Sequence, residues 1–272
     1  MIKTPSVFKS KTPKKYYLSL LSPAKNEHDY LVDFVKFYKY HGVEHFYFYD
    51  NQSTVPVKET LKDYLDCCTI IEFPGVGVQV QSYAHFMKNF KHETEWIAIF
   101  DIDEYVLPKK HETLRDFLRD YEDYDAVAIN WVTFGDGHNK TQQAGPLIGN
   151  YLYSSKSQHP NFKSVYKTDS IYKVDHVHFA KLKLFSKYVD ARLKPVKSVS
   201  HTEPTTDIIQ LNHYFTKSEE EYLKKIKRAR ADTGESYYDH IKENQWLVDE
   251  HTRTNEIRTT EIWDKYKHIY EK

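Results

Sequence analysis

The run Ile97-Ala98-Ile99-Phe100-Asp101-Ile102-Asp103-Glu104-Tyr105-Val106-Leu107 sets three carboxylates at the end of an apolar, β-branched stretch that opens at Trp96. Such a stretch has the length and content of a buried strand. A carboxylate taken out of water without a partner is costly, so acids placed there are expected to meet a cation, a partner charge or water. On a strand, Asp101 and Asp103 would project to one side, because side chains alternate with a period of two. Two hard oxygen donors at one strand end suit Mg2+ or Mn2+ bound together with substrate phosphates. The plainer alternative is an acidic turn that leaves the sheet.

A metal would need a third protein ligand, and His176, His178, His201 and His213 are the candidates. His213 is followed four residues later by Lys217. An imidazole for the metal and an ammonium for a phosphate, from one turn, would suit a metal-bound diphosphate. With 15 histidines in the chain, a hydrogen-bonded structural role competes for each of them. Asn26, Glu27 and Asp50 lie in polar segments after apolar runs, where acids at the rim of an α/β nucleotide site accept hydrogen bonds from ribose or base. Asn26-Glu27 also reads as a helix start, with Asn as cap and Glu favoured by the dipole.

These residues need elements to position them. Apolar runs at 16–21, 45–49, 69–73 and 96–100 read as strands, and 29–41, 56–64 and 79–91 as helices, the first ended by Gly42. Strand–helix alternation of this kind predicts an α/β fold with a parallel sheet covered by helices on both faces. Ligands of such sheets sit outside the carboxyl ends of the strands, so the loops 23–27, 50–53 and 101–104 should share one rim. A helix at 112–121 and a strand at 126–131 lead to Phe134-Gly135-Asp136-Gly137-His138-Asn139, a mobile or tightly turned loop. Residues 140–165 read as loop-rich, 172–179 as β-like alternation, 181–200 as a basic, partly stranded excursion and 207–215 as a last strand. Ser218 with Glu221 forms a capping box for a helix through Ala231. A further amphipathic helical segment is expected from Tyr237 toward the end.

Several classes are excluded. Gly-x-Gly-x-x-Gly after the first strand, Gly-x-x-x-x-Gly-Lys-Ser/Thr and Gly-x-Ser-x-Gly are missing. Without Cys-x-x-Cys or His-Glu-x-x-His, zinc is not expected. The 39 basic and 39 acidic residues cancel, so nothing steers the chain as a whole to nucleic acid, and any anion site must be local. The two cysteines, Cys67 and Cys68, are neighbours and frame no disulfide, which fits a reducing compartment. Residues 1–15 are polar and basic, unlike a signal peptide, and are expected to form a flexible tail. No stretch reaches the ~20 apolar residues of a membrane helix. The chain is therefore expected to be soluble and cytoplasmic. A nucleotide diphosphate would have to be held by metal and lysines, a combination suited to glycosyl transfer from a nucleotide sugar.

Taken in order, Lys25-Asn26-Glu27, Tyr49-Asp50-Asn51-Gln52-Ser53, Trp96 through Tyr105, Asn130-Trp131 with Phe134-Gly135, Lys163-Ser164-Val165, His176-Val177-His178-Phe179 and Asn212 through Ser218 resemble GT-A-type glycosyltransferases of family 92 and their relatives in the family 2-like superfamily. The resemblance covers about residues 16–235 and implies a GT-A domain there, with a mostly parallel central sheet flanked by helices and 236–272 as a helical extension packed on it. It implies a Mn2+- or Mg2+-dependent, inverting transferase moving a sugar from a nucleotide-sugar donor, a UDP-sugar, to a glycan, protein or lipid-linked acceptor hydroxyl. Asp103 would bind the metal directly, with Asp101 touching ribose and the metal shell. Asp50 would receive uracil or ribose. His213 and Lys217 would be a distal metal ligand and a diphosphate contact, and Lys163 would face the phosphates. Asp136 is expected as the general base, with Asp175 as runner-up, and Trp131 and Phe134 could stack on a sugar. A binding module that has lost catalysis and a metal-dependent nucleotidyltransferase are the competing readings.

Overall fold

Strand β1 (Tyr16–Ala24) sends Leu18 and Leu20 into one apolar cluster and Leu21 into a second on the opposite face. The same alternation recurs where Phe46 and Phe48 oppose Tyr47 and Tyr49, and where Trp96 and Ala98 oppose Ile97 and Ile99. A sheet whose strands are apolar on both sides must be covered on both faces, as expected from the near-continuous hydrophobic runs. The computed structural model describes residues 13–199, 203–227, 233–235 and 250–271. The tail up to residue 12, His201, the expected helix beyond 227 and residues 236–249 lie outside the described residues.

After β1 come α1 (His28–Tyr40), β2 (His45–Asp50), α2 (Val57–Thr60), β3 (Cys68–Glu72), α3 (Gln79–Asn89) and β4 (Thr94–Ile99). Then follow β5 (Glu104–Pro108), α4 (Leu114–Arg119), β6 (Ala126–Thr133), α5 (Leu147–Asn150), β7 (Tyr153–Ser154), β8 (Phe162–Lys167), β9 (Ile171–Val174), β10 (Ala180–Leu182), β11 (Tyr188–Asp190), β12 (Ile209–His213) and α6 (Glu219–Ile226). The main sheet has the order β3-β2-β1-β4-β8-β6-β12-β5, with β11 also on β6.

This sheet is mixed rather than purely parallel. β1, β2, β3 and β4 are parallel to one another, as are β6, β11 and β12, but β8 runs against both β4 and β6, and β5 against β12. Two reversals leave β6 and β12 pointing the same way as β1 to β4. The carboxyl ends of β1, β2, β4, β6 and β12 therefore share one edge, where β8 begins. β8 lies in the segment expected to be loop-rich. Lys163 and Ser164 are both buried within it, and two consecutive buried polar residues break the alternation by which strands are recognised.

Other expectations shift locally. The helix expected over 56–64 stops at Thr60 and tightens into a 3-10 turn, Lys62–Tyr64. The strand expected over 172–179 ends at Val174. The described part of the C-terminal extension holds two short helices, Glu250–Arg253 and Glu261–Tyr266, and between them a strand, Ile257–Arg258, antiparallel to β7. That strand pairing replaces the continuous helix.

Helix α1 buries Tyr30, Leu31, Phe34, Val35, Phe37 and Tyr38 along one stripe. It ends as its glycine predicts. Gly42 has φ +85°, its N–H donates to Lys39 O at 3.0 Å, and the Val43 N–H donates to Tyr38 O at 2.9 Å. This is the paired-bond Schellman ending. A Cβ at residue 42 would lie 2.7 Å from Arg115 Cβ and would also force a left-handed backbone on a branched centre. Gly42→Ala is expected to lose about 2 kcal/mol of stability; a urea melt would check it, and an unchanged midpoint would contradict this packing.

Candidate active site

Asp101 and Asp103 do not sit on a strand. β4 ends at Ile99, and the Glu104 N–H donates to Asp101 O at 3.1 Å, so residues 101–104 form a turn that reverses the chain into β5. The same-side projection expected from strand alternation is therefore lost. The two carboxylates diverge to separate partners, although both stay at the shared edge.

Asp101 Oδ2 pairs with Lys163 Nζ at 2.8 Å, and its Oδ1 accepts from Gln79 Nε2 at 3.0 Å. Lys163 stands at the start of β8, whose Ser164 is in register with Ile99 of β4, so the pairing of these strands delivers the ammonium. That side chain is 1 % exposed. Burial alone would lower its pKa, but Asp101 and Glu104 outweigh burial and hold it above the ordinary lysine value.

Asp103 is buried, with Oδ2 2.9 Å from Lys225 Nζ and Oδ1 3.6 Å from His213 Nε2. Burial pushes its pKa up; Lys225, His213 and Lys217 reverse this and hold the carboxyl below its usual range. His213 itself is lowered to about 3, chiefly by burial, so the imidazole is neutral at physiological pH. The antiparallel ladder β12–β5 sets His213 opposite Glu104, and the Tyr214 N–H donates to Asp103 O at 2.8 Å. A third acid, Glu104, is fully buried. Its Oε2 accepts from the Asp101 N–H at 2.8 Å, while Oε1 has no hydrogen-bond partner among the described residues. Burial raises its pKa well above the ordinary value, favouring the protonated form.

A third buried ion pair joins Lys217 Nζ to Glu27 Oε2 at 2.5 Å, with the ammonium over the Tyr30 ring at 4.3 Å from its centroid. The loops that carry these groups hold an unusual backbone. Asn26, Gln52, His138 and Lys217 all have φ between 54° and 65°, a left-handed region sparsely used by residues other than glycine. Asn26 is not a helix cap. Glu27 occupies the cap position without a side-chain bond, and Asn26 Oδ1 accepts from the N–H and hydroxyl of Thr54, both at 2.8 Å. Asp50 accepts from the Ser53 and Val57 N–H groups, each at 3.0 Å, and so uses both oxygens on backbone.

Asp136 lies in a tight turn, 3 % exposed. Its Oδ1 accepts from the His138 N–H at 2.8 Å and from Asn255 Nδ2 at 2.6 Å. Asp175 is placed on the β9–β10 hairpin, bridging Lys181 at 2.7 Å and Lys173 at 3.3 Å. Phe134 is core, packed on Tyr214 with ring centroids 4.6 Å apart, and offers no face to a sugar. Trp131 is buried against His213, His178 and His159 at centroid distances of 4.2, 4.9 and 5.4 Å. Its Nε1 and the Nδ1 of His213 have no hydrogen-bond partner among the described residues.

For a divalent cation, Asp103 Oδ1 and His213 Nε2 converge as two suitable donors. Asp101 faces Lys163, and no three His, Cys, Asp or Glu side chains cluster as a ready metal site among the described residues. Two residues escaped the sequence reading. Gln79 orients Asp101 from the start of α3. Lys225 lies on the inner side of α6, three residues after buried Tyr222 and beside buried Ile226, and that spacing was a usable signal. Glu221 anchors the same helix by accepting from Tyr30 and, at 2.9 Å, from Tyr151.

Residues 21–271 match the family described as Glycosyltransferase family 92, and the chain belongs to that family. A family 92 protein of Oryza sativa subsp. japonica is 25% identical over 188 residues, which make up 65% of this chain and 32% of that protein. One of Arabidopsis thaliana is 21% identical over 224 residues, 75% and 36% of the two chains. The chain thus spans about a third of the length of the curated relatives it matches. Among solved structures, S. aureus TarS 1-349 in complex with UDP overlaps 56% of this chain and 47% of its own at 13% identity and a TM-score of 0.38. The 4-diphosphocytidyl-2C-methyl-D-erythritol synthase of Anaerococcus prevotii overlaps 58% and 73% at 10% identity and a TM-score of 0.35. No helix among the described residues is long and apolar enough to cross a membrane.

Two outcomes follow from the buried charges. The folded pKa of His213 lies near 3, below the ordinary 6.5, so as pH falls the unfolded chain takes up this proton first. The contribution of His213 to stability is complete above pH 6.5 and is lost between 6.5 and 3, at about 1.4 kcal/mol per pH unit. His213→Gln should flatten the pH dependence of unfolding free energy by about that slope, and parallel curves would refute the assignment. Lys163→Met should cost about 3 kcal/mol, because Asp101 loses its buried cation; guanidinium unfolding of both proteins measures it.

Proposed function

We propose that the chain is the catalytic unit of a metal-dependent glycosyltransferase of GT-A type. It would transfer a sugar from a nucleotide-sugar donor, a UDP-sugar, to an acceptor hydroxyl with inversion. One observation carries the proposal: in a family 92 chain, Asp103 and His213 converge at the strand-end edge beside the buried cations Lys163 and Lys217 and the half-buried Lys225. Such an edge is where open α/β sheets bind nucleotides. Its charges match a diphosphate plus a cation.

In this reading Asp103 and His213 hold Mn2+ or Mg2+, with Asp101 released from Lys163 as a further ligand. The ion supplies Lewis-acid neutralisation of the departing diphosphate. Lys217 and Lys163 turn from Glu27 and Asp101 to phosphate oxygens, exchanging one anionic partner for another without leaving an ammonium unpaired. The loops of Asn26, Glu27 and Asp50, tied together through Thr54 and Ser53, border the nucleoside. Asp136 accepts the acceptor proton as general base. Its carboxylate is held in one orientation by His138 and Asn255.

Calorimetry with UDP and Mn2+ tests the cation site. Asp103→Asn should abolish metal-dependent UDP binding without unfolding the chain, and equal heats from both proteins would defeat the assignment. A screen of nucleotide sugars with and without Mn2+ should release free nucleoside diphosphate; pyrophosphate would mark nucleotidyl transfer instead. Asp136→Asn keeps an oxygen acceptor for the turn but cannot take a proton. It should lower kcat by about 10²–10⁴-fold with donor affinity unchanged, whereas a purely structural Asp136 would leave kcat intact.

A further inference from the structure

The β9–β10 hairpin carries an exposed feature that the proposed chemistry leaves unused. β8 starts at the site edge and ends at Lys167 on the far edge, where the turn Thr168–Ser170 starts β9. Leu182 of β10 pairs with Ile171, and the Lys183 N–H donates to Ser170 O at 2.8 Å, so the segment after β10 sits at the end of the sheet opposite the candidate site.

There the chain turns tightly through Lys183-Leu184-Phe185-Ser186, with the Ser186 N–H donating to Lys183 O at 3.2 Å. Phe185, third in the turn, has φ +68°. Turns of this kind call for Gly or Asn at that position, and a bulky side chain there is strained. Leu184 and Phe185 are nevertheless 82 % and 91 % exposed, the two most exposed large apolar side chains among the described residues. Solvation and turn chemistry both favour small polar residues at these two places. Displaying Leu-Phe gains nothing within the described fold.

The surroundings are cationic. Lys181, Lys183 and Lys187 interleave with the apolar residues, and Lys173 faces Lys181 across the hairpin beside Tyr172, which is itself 74 % exposed. Asp175 is bonded to Lys173 and Lys181, Asp125 accepts from the Lys187 N–H, and Asp169 pairs with Lys14, while Glu122 and Asp123 lie just before Asp125 in the chain. Within residues 171–187 the four lysines Lys173, Lys181, Lys183 and Lys187 face one carboxylate, Asp175, although the whole chain is neutral. Apolar tips ringed by lysines suit an anionic lipid surface. The rings and aliphatic groups enter below the headgroups, while the long lysine stems keep their ammonium groups at phosphate level.

We propose that the 181–187 turn is a peripheral docking element for an anionic lipid bilayer. The membrane would then lie at the end of the sheet away from Asp103, leaving the candidate site open to solution. Docking of this kind is shallow, reversible and weakened by salt.

Co-sedimentation of the full chain with phosphatidylcholine vesicles, with and without about one third phosphatidylglycerol, tests it. Binding is expected to the anionic vesicles at low salt and to weaken as salt rises. Lys181→Gln with Lys183→Gln should reduce partitioning about 25-fold, at about fivefold per lysine. Leu184→Ser with Phe185→Ser should reduce it at least tenfold, and both side chains are exposed, so folding should be kept. Phe185→Trp, with brominated lipid, should show quenched emission on binding. No binding to anionic vesicles at low salt, or an unquenched tryptophan, would overturn the proposal. Loss of binding in the lysine variant alone would also overturn it, marking a general polyanion contact such as nucleic acid. A change of mass in sedimentation velocity for the Leu184/Phe185 variant, without loss of vesicle binding, would point instead to a second copy of the chain.

Discussion

Three lysine–carboxylate pairs, each with at least one buried member, organise the edge of this sheet: Lys163 with Asp101, Lys225 with Asp103 and Lys217 with Glu27. Each partner comes from a different loop or element, so every pair is also a tertiary tie. Buried pairs of this kind add little net stability, because desolvation offsets attraction, but removing one partner strands the other in a medium that cannot solvate it. The rim is thus held in one arrangement by the cost of separating charges. Glu104, buried behind the turn and favoured in its protonated form, escapes that cost by losing its charge.

Two reversed strands make this arrangement possible. β8 is inserted between β4 and β6, and its first residues arrive at the edge where its parallel neighbours end, so an ammonium enters beside Asp101. β5, antiparallel to β12, returns directly from the acidic turn and carries Glu104 to the register position of His213. A purely parallel sheet would bring only strand ends and their following loops to the rim. Mixing directions lets strand beginnings contribute as well, and the positively charged side of the site comes partly from one of them. The remaining cations come from the segment after β12, where Lys217 takes a left-handed backbone and Lys225 reaches back from α6.

Legibility differed by kind of residue. The stripe of α1, its glycine ending and the first four strands were plain in the sequence, because each depends on local periodicity or on one residue's backbone freedom. The convergence of the loops after β1, β2 and β4 followed from strand–helix alternation. β8 was hidden by its two buried polar residues. Residues 101–104 were legible as a loop or acidic turn at the strand end, but the same-side projection of Asp101 and Asp103 was not met, because an apolar run reads alike whether the chain continues or reverses after it. Phe134 looked available for stacking, yet its contact with Tyr214 places it in the core.

Residue types and their local spacing determined which groups could do chemistry and that strand ends would gather them, since hydrophobic period and turn chemistry act over a few residues. Which carboxylate meets which lysine, that His213 is neutral and shares a spot with Asp103, and that Leu184 and Phe185 stand uncovered were decided only by tertiary structure. Those outcomes depend on strand register and on burial by segments tens of residues away, and a charge's energy is set by what surrounds it in space, not by its neighbours along the chain.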